Sequence, residues 1–222
     1  MKQKLTPSRI FCYLAGMMLL AIGIAASMRS NLGSSPVASV PYSANIIIGI
    51  EMGLATIIWQ SFLVLLQFII LRREFSLWTL AQLITGFIFG YFNSFAVWLL
   101  SFFPDPSGWV MKLLCTAIGF VVGGFGVWLY SSADVINMPS EGIVMVIAKK
   151  LGKPFHKIKI CFDITSVVLA GSACLICVHN LGSVGIGTVI IAIMLGTMVG
   201  IYEKYFGKKL KGVFEKSKPI FK

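Results

Sequence analysis

The sequence predicts an all-α polytopic membrane protein: six transmembrane helices plus two re-entrant half-helices, arranged as two inverted repeats. Three observations carry this. The chain is apolar almost throughout, with 57% hydrophobic and only 12% charged residues and a mean hydropathy of +0.89, where soluble domains carry roughly 25% charged residues. Its basic residues fall into groups that flank the apolar runs. And one order of elements occurs twice along its 222 residues.

The apolar runs give the elements in order. Residues 10–28 lie between Arg9 and Arg29, and residues 54–71 end at Arg72 and Arg73. A third run, 77–103, stops at Pro104-Asp105-Pro106, and a fourth covers 109–131. A fifth covers 158–178 and a sixth 184–202. Each approaches or exceeds the roughly 20 residues that cross a hydrocarbon core. The run nearest the start is read as a retained first helix, because no small-residue cleavage site follows it. Two shorter stretches, 35–50 and 139–151, would make helices only about 20–24 Å long.

Charge sets the orientation. Of the 19 Lys and Arg, 17 fall into four groups: Lys2, Lys4 and Arg9; Arg72 and Arg73; Lys149, Lys150, Lys153, Lys157 and Lys159; and Lys204 to the C-terminus. The positive-inside rule places these in the cytoplasm, with both termini. The net charge of +11 is therefore a topology signal and not a nucleic-acid-binding face. The first span then ends outside and the second enters from outside, so residues 35–50 start and finish on the outer side. By the same logic residues 139–151 start and finish inside. An eight-span alternative would put Arg72 and Arg73 outside.

The halves are alike. Gly16, Gly23, Pro36 and Gly49 match Gly119, Gly126, Pro139 and Gly152 at a constant offset of 103. Gly86 and Gly90 match Gly196 and Gly200 at 110. Each half reads long span, short helix opened by Pro, span, and span with a G-x-x-x-G pair. Residues 1–105 form the first repeat, 106–207 the second, and 208–222 a basic cytoplasmic tail.

The two Pro-opened helices are the candidate site. Asn31-Leu32-Gly33-Ser34-Ser35-Pro36 offers a flexible turn, an N-cap and a first helical residue. Asp134-Val135-Ile136-Asn137-Met138-Pro139-Ser140-Glu141 is its counterpart, with an acid in the first turn. In inverted-repeat transporters, substrate sites form where interrupted helices meet near the midplane. The substrate-binding candidates are Asn31, Ser34, Ser35, Asn137, Ser140 and Glu141, and the coupling candidates are Asp134 and Asp163. An anionic group suits the first opening, and a cation or proton suits the second. The competing reading makes these residues caps and turn formers and Asp163 a surface partner of Lys159. Gln67, Gln82 and Asn93 either line a path or join helices.

No enzyme is expected: no nucleophile–base set, HExxH or phosphate loop is present. No metal or other cofactor is expected either. Cys174-x-x-Cys177 has a redox or zinc spacing but sits inside an apolar run without a second ligand pair.

The first opening, continued through Val37-Ala38-Ser39-Val40-Pro41-Tyr42, resembles the signature of the YczE/YyaS/YitT family of bacterial integral membrane proteins. Gln82-Leu83-Ile84-Thr85-Gly86 through Asn93 is similar to that family's second pattern, and Gly182-Ser183-Val184-Gly185-Ile186-Gly187-Thr188 through Gly200 to its C-terminal one. The resemblance implies a polytopic inner-membrane protein with a transport role, without supplying a substrate. Members often carry an acid where this chain has Asn93. The expected function is a small transporter or channel-like permease for a small solute or ion, in contact with the lipid bilayer. The alternative is a membrane-embedded, substrate-binding partner subunit of a larger uptake complex, and a homo-oligomer fits either.

Overall fold

The computed structural model describes residues 6–216. The described chain is helical, in the order α1 (Pro7–Arg29), α2 (Pro36–Ile48), α3 (Met52–Leu71), α4 (Leu77–Ser101), α5 (Gly108–Ala133), α6 (Pro139–Leu151), α7 (Phe155–Val178) and α8 (Ile186–Lys216), with a 3-10 turn at Arg72–Glu74 between α3 and α4. Six of these helices are long and apolar enough to cross a membrane, and α2 and α6 are not. Lys2, Lys4, Lys218 and Lys222, along with the rest of the predicted tail beyond Lys216, lie outside the described residues.

The core is the seam between α1 and α5. Gly16, Gly23, Gly119, Gly123 and Gly126 let the two backbones touch. A Cβ on Gly126 would lie 2.4 Å from Leu20 N, and one on Gly23 would lie 2.6 Å from Gly123 Cα. The pairing runs antiparallel, since Gly16 meets Gly126 and Tyr130 while Gly23 meets Gly119. It is also reciprocal. Gly16 and Gly119 are equivalent in the repeat, as are Gly23 and Gly126, and each packs on the other's counterpart. That is the contact pattern of a two-fold axis. Around this seam α4 packs on α1 as α8 packs on α5, and α7 packs on α2 as α3 packs on α6.

Backbone turns repeat as well. Asn31 (φ 51°) and Asp134 (φ 48°) end α1 and α5 in the left-handed region, and Gly49 (φ 68°) and Gly152 (φ 61°) end α2 and α6 the same way. Short polar side chains and glycine tolerate that conformation best.

Each short helix returns to the end of the bundle from which its segment came. At the basic end, Arg9 Nη1 donates to Ala133 O (3.0 Å), so α5 finishes beside the start of α1. Residues 134–138 then dip inward, and α6 climbs back until Lys150 Nζ caps Ile70 O (2.6 Å) at the end of α3. Along α3, the start of α6 lies level with Gln60, about ten residues or ~15 Å below Ile70. At the opposite end, Ser34 N donates to Ser183 O (3.1 Å) and Ile46 packs beside Gly182, so both ends of α2 face the α7–α8 loop. Arg29, one of the two basic residues away from the basic end, ties α1 to α4 through Leu100 O, Phe103 O (2.6 Å) and Asp105 (2.8 Å).

One element differs from expectation. The last helix continues past Tyr202 to Lys216. Phe214 explains the extension: it is buried in the core cluster, with Arg9 4.5 Å over its ring. Part of the predicted basic tail is thereby held on the bundle.

Candidate functional site

The opening of α6 sits inside a collar of polar side chains. Pro139 starts the helix, and Glu141 N and Gly142 N both donate to Met138 O (2.9 and 2.8 Å). On one side stand two tyrosines from the central seam. Tyr130 of α5 donates to Glu141 Oε1, and Tyr13 of α1 donates to Ile136 O (2.8 Å). Their rings meet edge to face at 6.3 Å. A tyrosine placed this deep needs a partner for its hydroxyl, and the interrupted chain supplies one to each.

On the other side stand three glutamines. Gln67 Nε2 donates to Gln82 Oε1 (2.8 Å) and to Pro139 O (3.3 Å). This ties the first turn of α6 to both α3 and α4. A Cβ on Gly142 would lie 2.6–2.8 Å from these amides, so a larger residue there would push the glutamine ends aside. Gln60 approaches Pro139 across Gly86, and its buried Oε1 has no partner among the described residues. Asn93, higher on α4, holds Phe89 O (2.8 Å) while its Oδ1 is also buried without a partner. Both orphan atoms are acceptors, as is the Glu141 carboxylate, so this side of the bundle is short of donors.

The opening of α2 is tied differently. Ser34 bonds Ser183 O through backbone and side chain, and Leu32 O accepts from Gly187 N (2.7 Å). Gly33 (φ 109°) passes so close to Thr188 and Gly185 that a Cβ would collide at 2.4–2.6 Å. Ser35 Oγ is buried without a partner. It borders a crevice too narrow to hold a water molecule, lined by Gly23, Ser27, Gly119, Ile191 and Leu195 among others.

The predicted site residues thus separate into two groups. Ser34 and Ser35 are buried at the first opening, and Ser140 and Glu141 belong to the second. The openings themselves lie apart. Glu141 is level with Tyr13–Gly16 of α1 and Ser35 with Gly23–Ser27, about ten residues or ~15 Å along the helix. Asn31 and Asp134 are exposed at left-handed turns, and exposed Asn137 donates to Met145 Sδ (3.1 Å). Asp163 pairs with Lys159 one turn back on α7. Glu203, which stands to Asn93 as Gly200 stands to Gly90, accepts from Trp128 Nε1 (2.9 Å) and Lys211 (3.1 Å).

Tyr13, Tyr130 and Gln60 were not among the site residues read from the sequence. Their signal there is faint: hydroxyls and an amide inside apolar runs, each needing a buried partner that only the fold supplies.

A bundle of six membrane-length helices with two interrupted short ones defines a polytopic α-helical membrane protein. Residues 7–204 match the family described as "Family of unknown function (DUF6198)", and the chain belongs to that family. It is 26% identical over 200 residues to the uncharacterized membrane protein YczE of Bacillus subtilis (strain 168), covering 90% of this chain and 86% of the relative. It is 25% identical over 201 residues to the uncharacterized protein YyaS of the same organism, covering 89% and 95%. An uncharacterized protein of Haemophilus influenzae is 26% identical over 188 residues, covering 83% and 78%. No solved structure matches the chain.

Proposed function

We propose that this protein is a small secondary transporter or channel-like permease, built of two inverted repeats in a bacterial cytoplasmic membrane. Both termini face the cytoplasm, and α2 and α6 are re-entrant. The opening of α6 holds the solute or ion. The observation that carries the reading is Glu141: a carboxylate in the first turn of a broken helix, about two turns in from the basic end, held by a tyrosine from the central seam. A carboxylate at that depth is costly to keep, and a neutral acceptor would serve the Tyr130 hydroxyl as well. The helix is already started by Pro139 and Met138 O, and Gln67 anchors its first turn.

The surroundings supply acceptors at Glu141, Gln60 and Asn93. The solute group they suit is a donor or a positive charge: a proton, a monovalent cation or an amine. The reciprocal antiparallel packing of α1 on α5 and the recurring left-handed turns support the inverted arrangement, in which sites form at interrupted helices.

The test is purified protein alone in proteoliposomes, with solutes first chosen by thermal-shift screening. Wild-type protein is expected to take up a cationic or amine-bearing solute, or to carry protons with it. Glu141→Gln is expected to lose that uptake while staying folded. Uptake unchanged in Glu141→Gln would remove the carboxylate from the mechanism. Uptake seen only when an ATPase co-purifies would instead make the protein a subunit of a larger complex.

A further inference from the structure

The two halves share a sequence order but not a conformation, and the difference lies in one pair of helices. In the first half, α3 and α4 pack along their whole length. Gln67 meets Gln82 near their connecting turn, Gln60 meets Gly86 in the middle, and Gly53 meets Gly90 and Ser94 at the far end. The glycine pair is the floor of this seam. A Cβ on Gly90 would lie 2.3 Å from Ile57 Cγ1 and 2.8 Å from Gly53 O.

The equivalent hairpin in the second half is α7 and α8. It is joined near its loop, where Gly171 faces Leu181 and Val184 and Cys174 lies 3.8 Å from Ser183. Beyond that the helices share no packed seam. Among the described residues, no neighbouring helix comes within 4 Å of where a Cβ would stand on Gly196 and Gly200, counterparts of Gly86 and Gly90. On α7 the counterpart of Ile57 is Ile160, which is exposed, and that of Gln60 is Asp163. The first hairpin is linked at the basic end and closed at the opposite end. The second is linked at the opposite end and open at the basic end.

We infer that the protein has a second conformation in which α7 closes on Gly196 and Gly200 of α8, while α3 parts from Gly86 and Gly90 of α4. Each half then takes the arrangement that the other has here. The described structure is the state open at the basic, cytoplasmic end. The occupant of the open groove is α7 itself, because the same sequence order in the first half has already filled its own glycine groove with α3. The physical requirement is met on both sides. Glycine pairs let helices approach closely without large side chains to move, and the groove on α8 is unobstructed.

This inference rests on the inverted-repeat reading, but its test needs no solute. The native cysteines are replaced by alanine, and a pair is introduced by Ile160→Cys with Gly200→Cys. A second pair, Asp163→Cys with Gly196→Cys, covers failure of the first to fold. Each is oxidised in native membranes, and free thiols are counted afterwards with a maleimide. A disulfide needs Cα atoms within about 7 Å, so the splayed state cannot form it. The expected result is loss of both thiols within one chain. Val168→Cys with Gly200→Cys, two turns out of register, is expected to stay reduced. Thiols that remain free in both test pairs would overturn the inference. So would a link between two chains, which would give the groove to a second copy, or an out-of-register pair that reacts equally well. Failure here is distinct from failure of the transport reading, which the Glu141→Gln comparison tests.

Discussion

Gly126→Ala is the most direct probe of the central seam. The added methyl would sit 2.4 Å from Leu20 N, 2.6 Å from Gly16 O and 3.0 Å from Leu19 C. All three atoms are backbone, so no flexible side-chain end can swing away. Ordinary carbon contacts lie near 3.5–4.0 Å, and α1 and α5 must therefore part by about 1 Å along their closest stretch. Overpacking in a well-filled core costs typically about 1–3 kcal/mol, and the lack of any yielding atom puts this change at the upper end. The Ala side chain returns up to about 1 kcal/mol through its better helix propensity, leaving a net loss of roughly 2 kcal/mol. For a chain of this length that lowers the melting temperature by about 4–8 °C. Gly212→Ala is the control, since nothing lies within 4 Å of its Cβ position; it is expected to be neutral or slightly stabilising. The assay is thermal unfolding in one detergent, followed by intrinsic tryptophan fluorescence. If Gly126→Ala melts with or above Gly212→Ala, the two backbones do not touch at Gly126, and the two-fold reading of the seam loses its main contact.

Gln82→Leu removes the acceptor of the Gln67 amide and leaves Pro139 O as that amide's remaining partner. A loss of about 1–2 kcal/mol is expected in the same melt, with Gln67→Leu/Gln82→Leu losing less than the two single changes added together. Reporter fusions after Arg73 and Lys216 are expected to read cytoplasmic and one at Ser107 periplasmic; an external Arg73 would overturn the proposed orientation.

The parts of the fold visible in the sequence are those set by solvent. A hydrocarbon phase demands long charge-free runs, and the spans follow from that requirement alone, with most helix ends within a few residues of the predicted ones. The Pro-opened short helices were equally legible, because proline at the first turn and glycine beyond the last are local signals: α6 runs over Pro139–Leu151 as read. What stayed hidden depends on pairing. Glycines at one offset announced a repeat, yet nothing in the sequence said that Gly16 would pack on Gly126 and Gly23 on Gly119. The same limit governs the candidate site. Glu141 could be singled out as an acid in an apolar setting, but its partner Tyr130 lies eleven residues back on the preceding helix, and only the inward turn of residues 134–138 brings the two together. Asn31 and Asp134 looked like a polar pair for a ligand, and they are the two left-handed residues that end α1 and α5. Turn chemistry and ligand chemistry use the same short polar side chains, so a sequence presents both alike. Burial separates them: Ser35, Ser140, Gln60 and Asn93 are enclosed, while Asn31, Asp134 and Asn137 face outward. The enclosed acceptors with no partner are therefore where the search for a solute begins.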